Sequence, residues 1–281
     1  MQVVVTRPER EAQAWVQALS DAGHEVLALP LIAFESLSPP TLQPLETYHA
    51  LMFVSAQAVV AFFEKKEALP LDYQATEAHF FDNTYPLATR TRYWAPGPGT
   101  ARALLQVGIA ADDIDQPDPQ GQQFDSEALW QVVGSQVHAK ARVLIVRGQS
   151  EGQAIAVHPT PTRQGHGRDW LAQQCEAAGA QVDYAVVYKR VCPIWTLEQQ
   201  HQAQQATERA LWLFSNAEAL GHLTHLLPQT DWQHTAALAT HPRVARAVQS
   251  IGFANVTVCR PHVADVLTAV GYIGEGRSNG S

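Results

Sequence analysis

Two arginines stand where an apolar run hands over to a helical pattern. Arg7 closes VVVTRP (residues 3–8) and Arg147 closes VLIVRG (residues 143–148). A guanidinium delivered to that place can hold a carboxylate or a phosphate by charge-assisted, paired hydrogen bonds. The plain alternative is a salt bridge to a neighbouring carboxylate, since most arginines are exposed and paired. Four hydroxyls occupy comparable turns: Ser55 after LMFV, Thr100 after APGPG, Ser126 after FD and Ser215 after LWLF. The first turn of a helix leaves backbone N–H groups unsatisfied and favours anions there. Serine or threonine at such a turn is equally an ordinary helix N-cap. The glycine-rich turn of a nucleotide-binding fold is missing. These residue types point to a small anion held at strand ends.

The elements that would position these residues follow from an internal repeat. VVVTRPE returns as VLIVRGQ, and WVQALSDAGHEVLALPLIAF (15–34) returns as WLAQQCEAAGAQVDYAVVYKR (170–190). A second block, ALMFVSAQAVVAFF (50–63), resembles ALWLFSNAEALGHL (210–223) and aligns Ser55 with Ser215. APGPGTARALLQVGI (95–109) likewise resembles ATHPRVARAVQSIGF (239–253). The order along the chain is A, B, A′, B′, and A′ carries a longer Gly/Pro/His-rich loop, SEGQAIAVHPTPTRQGHG (150–167). Each block reads as strand, helix, strand. Short Val/Ile/Leu runs alternate with amphipathic stretches, the pattern of parallel sheets covered on both faces. Gly23, Gly108, Gly179 and Gly252 each stand where a helix ends and a left-handed cap is wanted. An A unit supplies two strands and a B unit about three, which predicts five-stranded sheets. The pattern permits A with B, or a crossed pairing of A with B′. LIAFESL (31–37) and VVYKRVC (186–192) prolong their A units, as suits two strands crossing between domains.

Composition narrows the setting. A length of 281 residues with 46% apolar content fits two compact domains. The net charge of −8 argues against a nucleic-acid partner met through a basic surface, and leaves room for a small anion in a locally basic cleft. No apolar run approaches the roughly 20 residues of a membrane helix. The N-terminus enters a strand at once, unlike a secretory signal. Cys175, Cys192 and Cys259 are an odd number at unrelated spacings, which fits a reduced compartment and neither a disulfide framework nor a zinc site. A soluble cytoplasmic protein is expected. His222 and His225, three apart on a predicted helix, lack a third ligand and read as a solvated face.

The motifs VTRP, FVSAQAV, GPGTARAL, DSEAL, VLIVRG, GRDWL and above all VYKR, in this order from about residue 3 to 270, resemble the uroporphyrinogen-III synthase family. The resemblance implies an α/β protein of two similar domains, joined by a two-strand linker, with an interdomain active-site cleft. It also implies the crossed pairing. Residues 1–34 plus 194–273 would form one discontinuous domain and 38–185 the other, with linkers near 32–38 and 186–192. The tail, 274–281, reads as disordered by composition.

The implied reaction belongs to tetrapyrrole (haem) biosynthesis. Hydroxymethylbilane loses water, ring D is inverted and the macrocycle closes to uroporphyrinogen III, with no metal or organic cofactor. The enzyme is then a lyase acting as a monomer on a small polycarboxylate, with no nucleic-acid or membrane partner. A flexible substrate that closes by itself without inversion must be held as well as activated. Arg7, Arg147 and Arg168, the last matching the family's GR, would bind its carboxylates together with Ser55, Thr100, Ser126 and Ser215; Lys189 would add to a positive cleft. Tyr188 of VYKR would assist departure of the hydroxyl, since a phenol can donate a hydrogen bond or a proton. At HPRV (241–244) the chain departs from the hydroxyl-bearing turn of some members. The alternative function is a cytosolic two-lobed module that binds or senses a small anion. A periplasmic-type binder conflicts with the missing signal, and a glycosyltransferase with the chain length and the missing glycine motif.

Overall fold

The computed structural model describes residues 1–38, 42–64, 91–118, 125–150 and 168–278. The chain builds two compact units, Met1–Ala33 with Val191–Ser281, and Phe34–Arg190.

The first unit holds β1 (Gln2–Val5), β2 (Glu25–Ala28), β9 (Leu211–Phe214), β10 (Ala236–Ala239) and β11 (Asn255–Val258), in the order β11-β10-β9-β1-β2. Its four pairings are all parallel. The inner strands are continuous apolar runs, with Val3–Val5 and Leu211–Phe214 buried, whereas the edge strands β2 and β11 are largely exposed. That division follows from the layering: an inner parallel strand meets helices on both faces and must be apolar on both. Each such valine or leucine contributes roughly 1.5–3 kcal/mol by leaving water. Helix α1 (Glu9–Asp21) buries Ala12, Trp15 and Leu19 at helical spacing and carries Glu9 and Glu11 where its dipole favours acids. Helices α6 (Leu197–Arg209), α7 (Ala219–Leu226), α8 (Pro242–Ser250) and α9 (Val263–Ser278) complete the unit. A capping box between Thr196 and Gln199 starts α6.

The second unit holds β3 (Ala33–Ser36), β4 (Ala50–Phe53), β5 (Arg92–Trp94), β6 (Ile114–Asp115), β7 (Arg142–Ser150) and β8 (Gln181–Val191), in the order β3-β8-β7-β4-β5-β6. It is six-stranded, which corrects the five-stranded expectation. The extra strand comes from the segment read as linker. With its 11 residues β8 offers a long edge of unpaired backbone groups; β3 covers it, and Leu37 N–H donates to Val187 C=O at 2.8 Å. Helices α2 (Ala56–Glu64), α3 (Pro98–Gln106), α4 (Ser126–Val133) and α5 (Arg168–Ala177) belong to this unit.

Gly23 and Gly179, matched in the repeat, close α1 and α5 at φ +82° and +87°, a region that side chains with a Cβ rarely adopt. His222 departs from the solvated-face reading. Its Nδ1 donates to Leu31 C=O at 2.6 Å and, with Trp195 Nε1 donating to Pro30 C=O at 3.0 Å, ties down the stretch just before β3. The tail also differs from expectation, because α9 runs on to Ser278. Once a helix is nucleated, each further residue adds a hydrogen bond at little cost, so Gly/Ser composition alone does not stop it. Loop residues 151–167, with His158, Arg163 and His166, lie outside the described residues.

Cys175 is fully buried in α5, and burial, with Glu176 next to it, pushes its thiol up to about 12. The thiolate is the nucleophile. Cys175 should therefore resist alkylation in the native protein and react only on unfolding, as peptide mapping after timed iodoacetamide treatment would read. Labelling of Cys175 at the rate of a free thiol would contradict this packing.

Candidate active site

Ser55 and Tyr188, 133 positions apart, meet. Ser55 Oγ lies 3.2 Å from Tyr188 Oη. Ser55 follows β4 and caps α2: its Oγ accepts from Ala58 N–H at 3.2 Å, and its carbonyl accepts from the N–H groups of Ala58 and Val59. Tyr188 is brought opposite by an irregularity in the β7–β8 ladder. Arg147 pairs with Val186 and Gly148 with Tyr188, so Val187 is one residue too many on β8. Such a bulge re-aims the side chain that follows it. The phenol ring lies flat over Gly148, where an added Cβ would sit 2.2 Å from it, and Phe34 meets the ring edge-on at a centroid distance of 5.3 Å. Tyr188 retains only 2% exposure, and its phenol is buried with a defined partner. Gly148 was missed as a site residue. The glycine after Arg147 in VLIVRG was its only signal in the sequence.

Three of the candidate cations, Arg7, Arg147 and Lys189, are already paired. Arg147 Nη1 stands 3.5 Å from Asp169 Oδ1, with its guanidinium 5.8 Å from the Tyr184 ring centroid. Burial, then Glu176 and Asp169, push the Tyr184 phenol up to about 12. Lys189 Nζ is 2.9 Å from Glu35 Oε2. Arg7 turns back onto α1, where it binds Glu11 at 3.0 Å and lies 4.5 Å over the Trp15 ring centroid. Its Nε, closed off from water, has no hydrogen-bond partner among the described residues. Arg168 opens α5, and its side chain lies outside the described residues.

Among the hydroxyl turns only Ser55 is a cap. Thr100 is buried inside the first turn of α3, which Gly97 caps, because Pro98 takes the first helical position. Ser126 is buried at the start of α4, and the cap is Asp125, whose carboxylate accepts from Ala128 N–H at 2.8 Å. Aspartate competes with serine for that role, and the DSEAL motif contains both. Ser215 follows β9, but α7 starts only at Ala219, after an Asn216 turn in which Oδ1 accepts from Glu218 N–H. At HPRV, the His241 ring replaces the hydroxyl as cap of α8, accepting from Arg243 N–H at 3.0 Å.

No group of three or more His, Cys, Asp or Glu among the described residues is placed to hold a metal. No helix among them is long and apolar enough to cross a membrane. A cavity of about 470 Å³ opens between β11 and α9, lined by Thr257, Arg260 and Asp265 among others, and none of the residues above lines it.

Comparison with known proteins gives a consistent outcome. A family model described as uroporphyrinogen-III synthase HemD matches residues 13–158 and 160–268. The uroporphyrinogen-III synthase of Salmonella typhimurium is 26% identical over 266 residues, covering 92% of this chain and 94% of that protein. The crystal structure of uroporphyrinogen-III synthetase from Helicobacter pylori superposes with a TM-score of 0.57 at 15% identity, covering 97% of this chain and 100% of that one; it shares the fold.

Proposed function

The chain belongs to the uroporphyrinogen-III synthase family, the cyclising lyases of tetrapyrrole biosynthesis, and on that footing we propose that the Ser55–Tyr188 hydroxyl pair assists departure of the substrate hydroxyl. The observation that carries this reading is the 3.2 Å contact between the two oxygens, one just past the end of β4 and the other in the last part of β8, at the carboxyl end of the inner strand β4. In open α/β sheets that is the end where ligands collect. The hydroxymethyl carbon of hydroxymethylbilane sits on an electron-rich pyrrole, which can push the C–O bond apart once a donor takes up charge on the oxygen. General-acid help of this kind is typically worth about 10²–10⁴-fold.

Arg147 supports the same reading from the neighbouring position. Its partly exposed pair with Asp169 is of a kind worth only about 0–1 kcal/mol, so a substrate carboxylate can displace Asp169 at small cost. Arg7 and Lys189, held by similar surface pairs, are read as further carboxylate contacts, and Arg168 as another. The buried Thr100 and Ser126 then act through the backbone turns they stabilise, and Ser215 through the turn after β9. The protein is read as a cytoplasmic monomer that needs only its small-molecule substrate.

Incubation with freshly generated hydroxymethylbilane, followed by isomer analysis of the oxidised porphyrins, tests the activity. An excess of isomer III is expected; isomer I alone would leave the anion-binding module as the better reading. Arg147→Ala should raise KM several-fold with kcat held, because a carboxylate contact contributes equally to ground and transition states. Added salt should mimic it by screening exposed charge. A KM indifferent to both changes would remove Arg147 from the substrate site.

A further inference from the structure

The hydrogen bonds around Ser55 distinguish the roles of the two hydroxyls. We infer that Ser55 is the group that meets the departing oxygen, while Tyr188 is a positioning residue that acts through it; this rests on the proposed role of the pair.

A serine hydroxyl has two lone pairs and one hydrogen. Ala58 N–H already donates to Ser55 Oγ at 3.2 Å, which occupies one lone pair. Tyr188 Oη stands 3.2 Å from the same oxygen, and either atom can be the donor there. A phenol is the stronger donor of the two and an aliphatic hydroxyl the stronger acceptor, because the phenol oxygen shares its electrons with the ring. Tyr188 therefore donates, the second lone pair of Ser55 is taken, and the Ser55 hydrogen must point in a third direction. Exposure agrees with this order. Tyr188 is 2% exposed beneath Phe34 and over Gly148, whereas Ser55 is only partly buried. The pair thus presents the serine to a ligand and keeps the phenol behind it.

The chemistry then balances without an added reagent. As the C–O bond breaks, its electron pair leaves with the oxygen, and the Ser55 proton moves onto that oxygen to form water. The charge left on Oγ is shared by two donors already in place, Ala58 N–H at the positive end of α2 and the Tyr188 hydroxyl. Donors arranged in series also polarise one another, which strengthens the outward bond. Closure of the macrocycle releases one proton, which restores Oγ–H.

The experiment is a double-mutant cycle, with kcat, KM and the III-to-I isomer ratio read for Ser55→Ala, Tyr188→Phe and the double variant. Ser55→Ala should lower kcat by about 10²-fold with KM little changed and shift product toward isomer I. Tyr188→Phe should cost about tenfold alone and nothing further once Ser55 is alanine, because its effect passes through Ser55. Ser55→Thr, which keeps the hydroxyl, should recover most of the turnover. Should the loss of the cap unfold Ser55→Ala, Ser55→Gly removes the hydroxyl at a position where glycine is well tolerated. The opposite pattern, with Ser55→Ala silent in the Tyr188→Phe background, would make the phenol the terminal donor and overturn the inference while the pair keeps its role. A raised KM at unchanged kcat would make Ser55 a simple carboxylate contact and overturn it too. Normal turnover in all three variants would instead remove the pair itself from catalysis.

Discussion

Gly148→Ala is expected to cut turnover by about ten- to 10²-fold, up to the scale on which general-acid help operates. The reason is steric. A Cβ on residue 148 would stand 2.2, 2.3 and 2.6 Å from three carbons of the Tyr188 ring, closer than real contacts allow. The ring cannot yield freely, since Phe34 meets it edge-on and its hydroxyl rests against Ser55 Oγ. Pushed off Gly148, it either displaces the serine hydroxyl, which disables both members of the pair at once, or breaks the contact, which removes the support of Tyr188 alone and costs about tenfold. Overpacking of this sort costs typically about 1–3 kcal/mol, so the thermal midpoint should fall as well. Steady-state turnover with isomer analysis, beside a thermal melt, reads both effects. An alanine variant with native turnover would mean that the β7–β8 bulge relaxes to accommodate the methyl, and that the site does not depend on this packing.

Trp212→Ala should destabilise the first unit by about 3–5 kcal/mol, the range for deleting a large buried aromatic. Trp212 is fully buried in β9, between β1 and β10. Its ring meets Trp232 edge-on at 5.2 Å and stacks on Phe214 at 6.2 Å, while Nε1 donates to Ala206 C=O at 3.3 Å. Phe253 closes the cluster, stacked on Trp232 at 4.7 Å. Truncation removes one wall of this four-ring cluster and one of the two donors to the Ala206 carbonyl, which keeps only Ala210 N–H at 3.1 Å. Denaturant titration followed by far-ultraviolet dichroism measures the loss. A change below about 1 kcal/mol would mean that the remaining rings close the cavity, which stiff interiors seldom manage.

Much of the architecture was legible in the chain itself. VVV, LMF, LIV and LWLF are apolar at every position, which only strands buried on both faces require, and each is an inner strand of a parallel sheet. Gly23 and Gly179 mark helix ends because no other residue takes their positive φ without strain. The family resemblance likewise needed no structure, since it rests on the order of short motifs along nearly the whole chain.

The tertiary structure alone decided what those elements do together. An apolar strand offers the same backbone ladder to any parallel neighbour, so the residues of β1 do not state that it lies beside β9 in a sheet without β4. Nor does the run YAVVYKR state that one residue of β8 is looped out opposite Gly148, because a bulge depends on the partner strand. The fate of the arginines was open for a related reason: Arg7 and Arg147 could bind a ligand or a neighbouring acid, and only side-chain geometry selects Glu11 and Asp169. Sequence by itself determined the duplicated α/β layers, through periodicities that act within a few residues. Folding determined the site, because the Ser55–Tyr188 contact joins residues 133 positions apart through a bulge, a helix cap and a glycine that no local pattern connects.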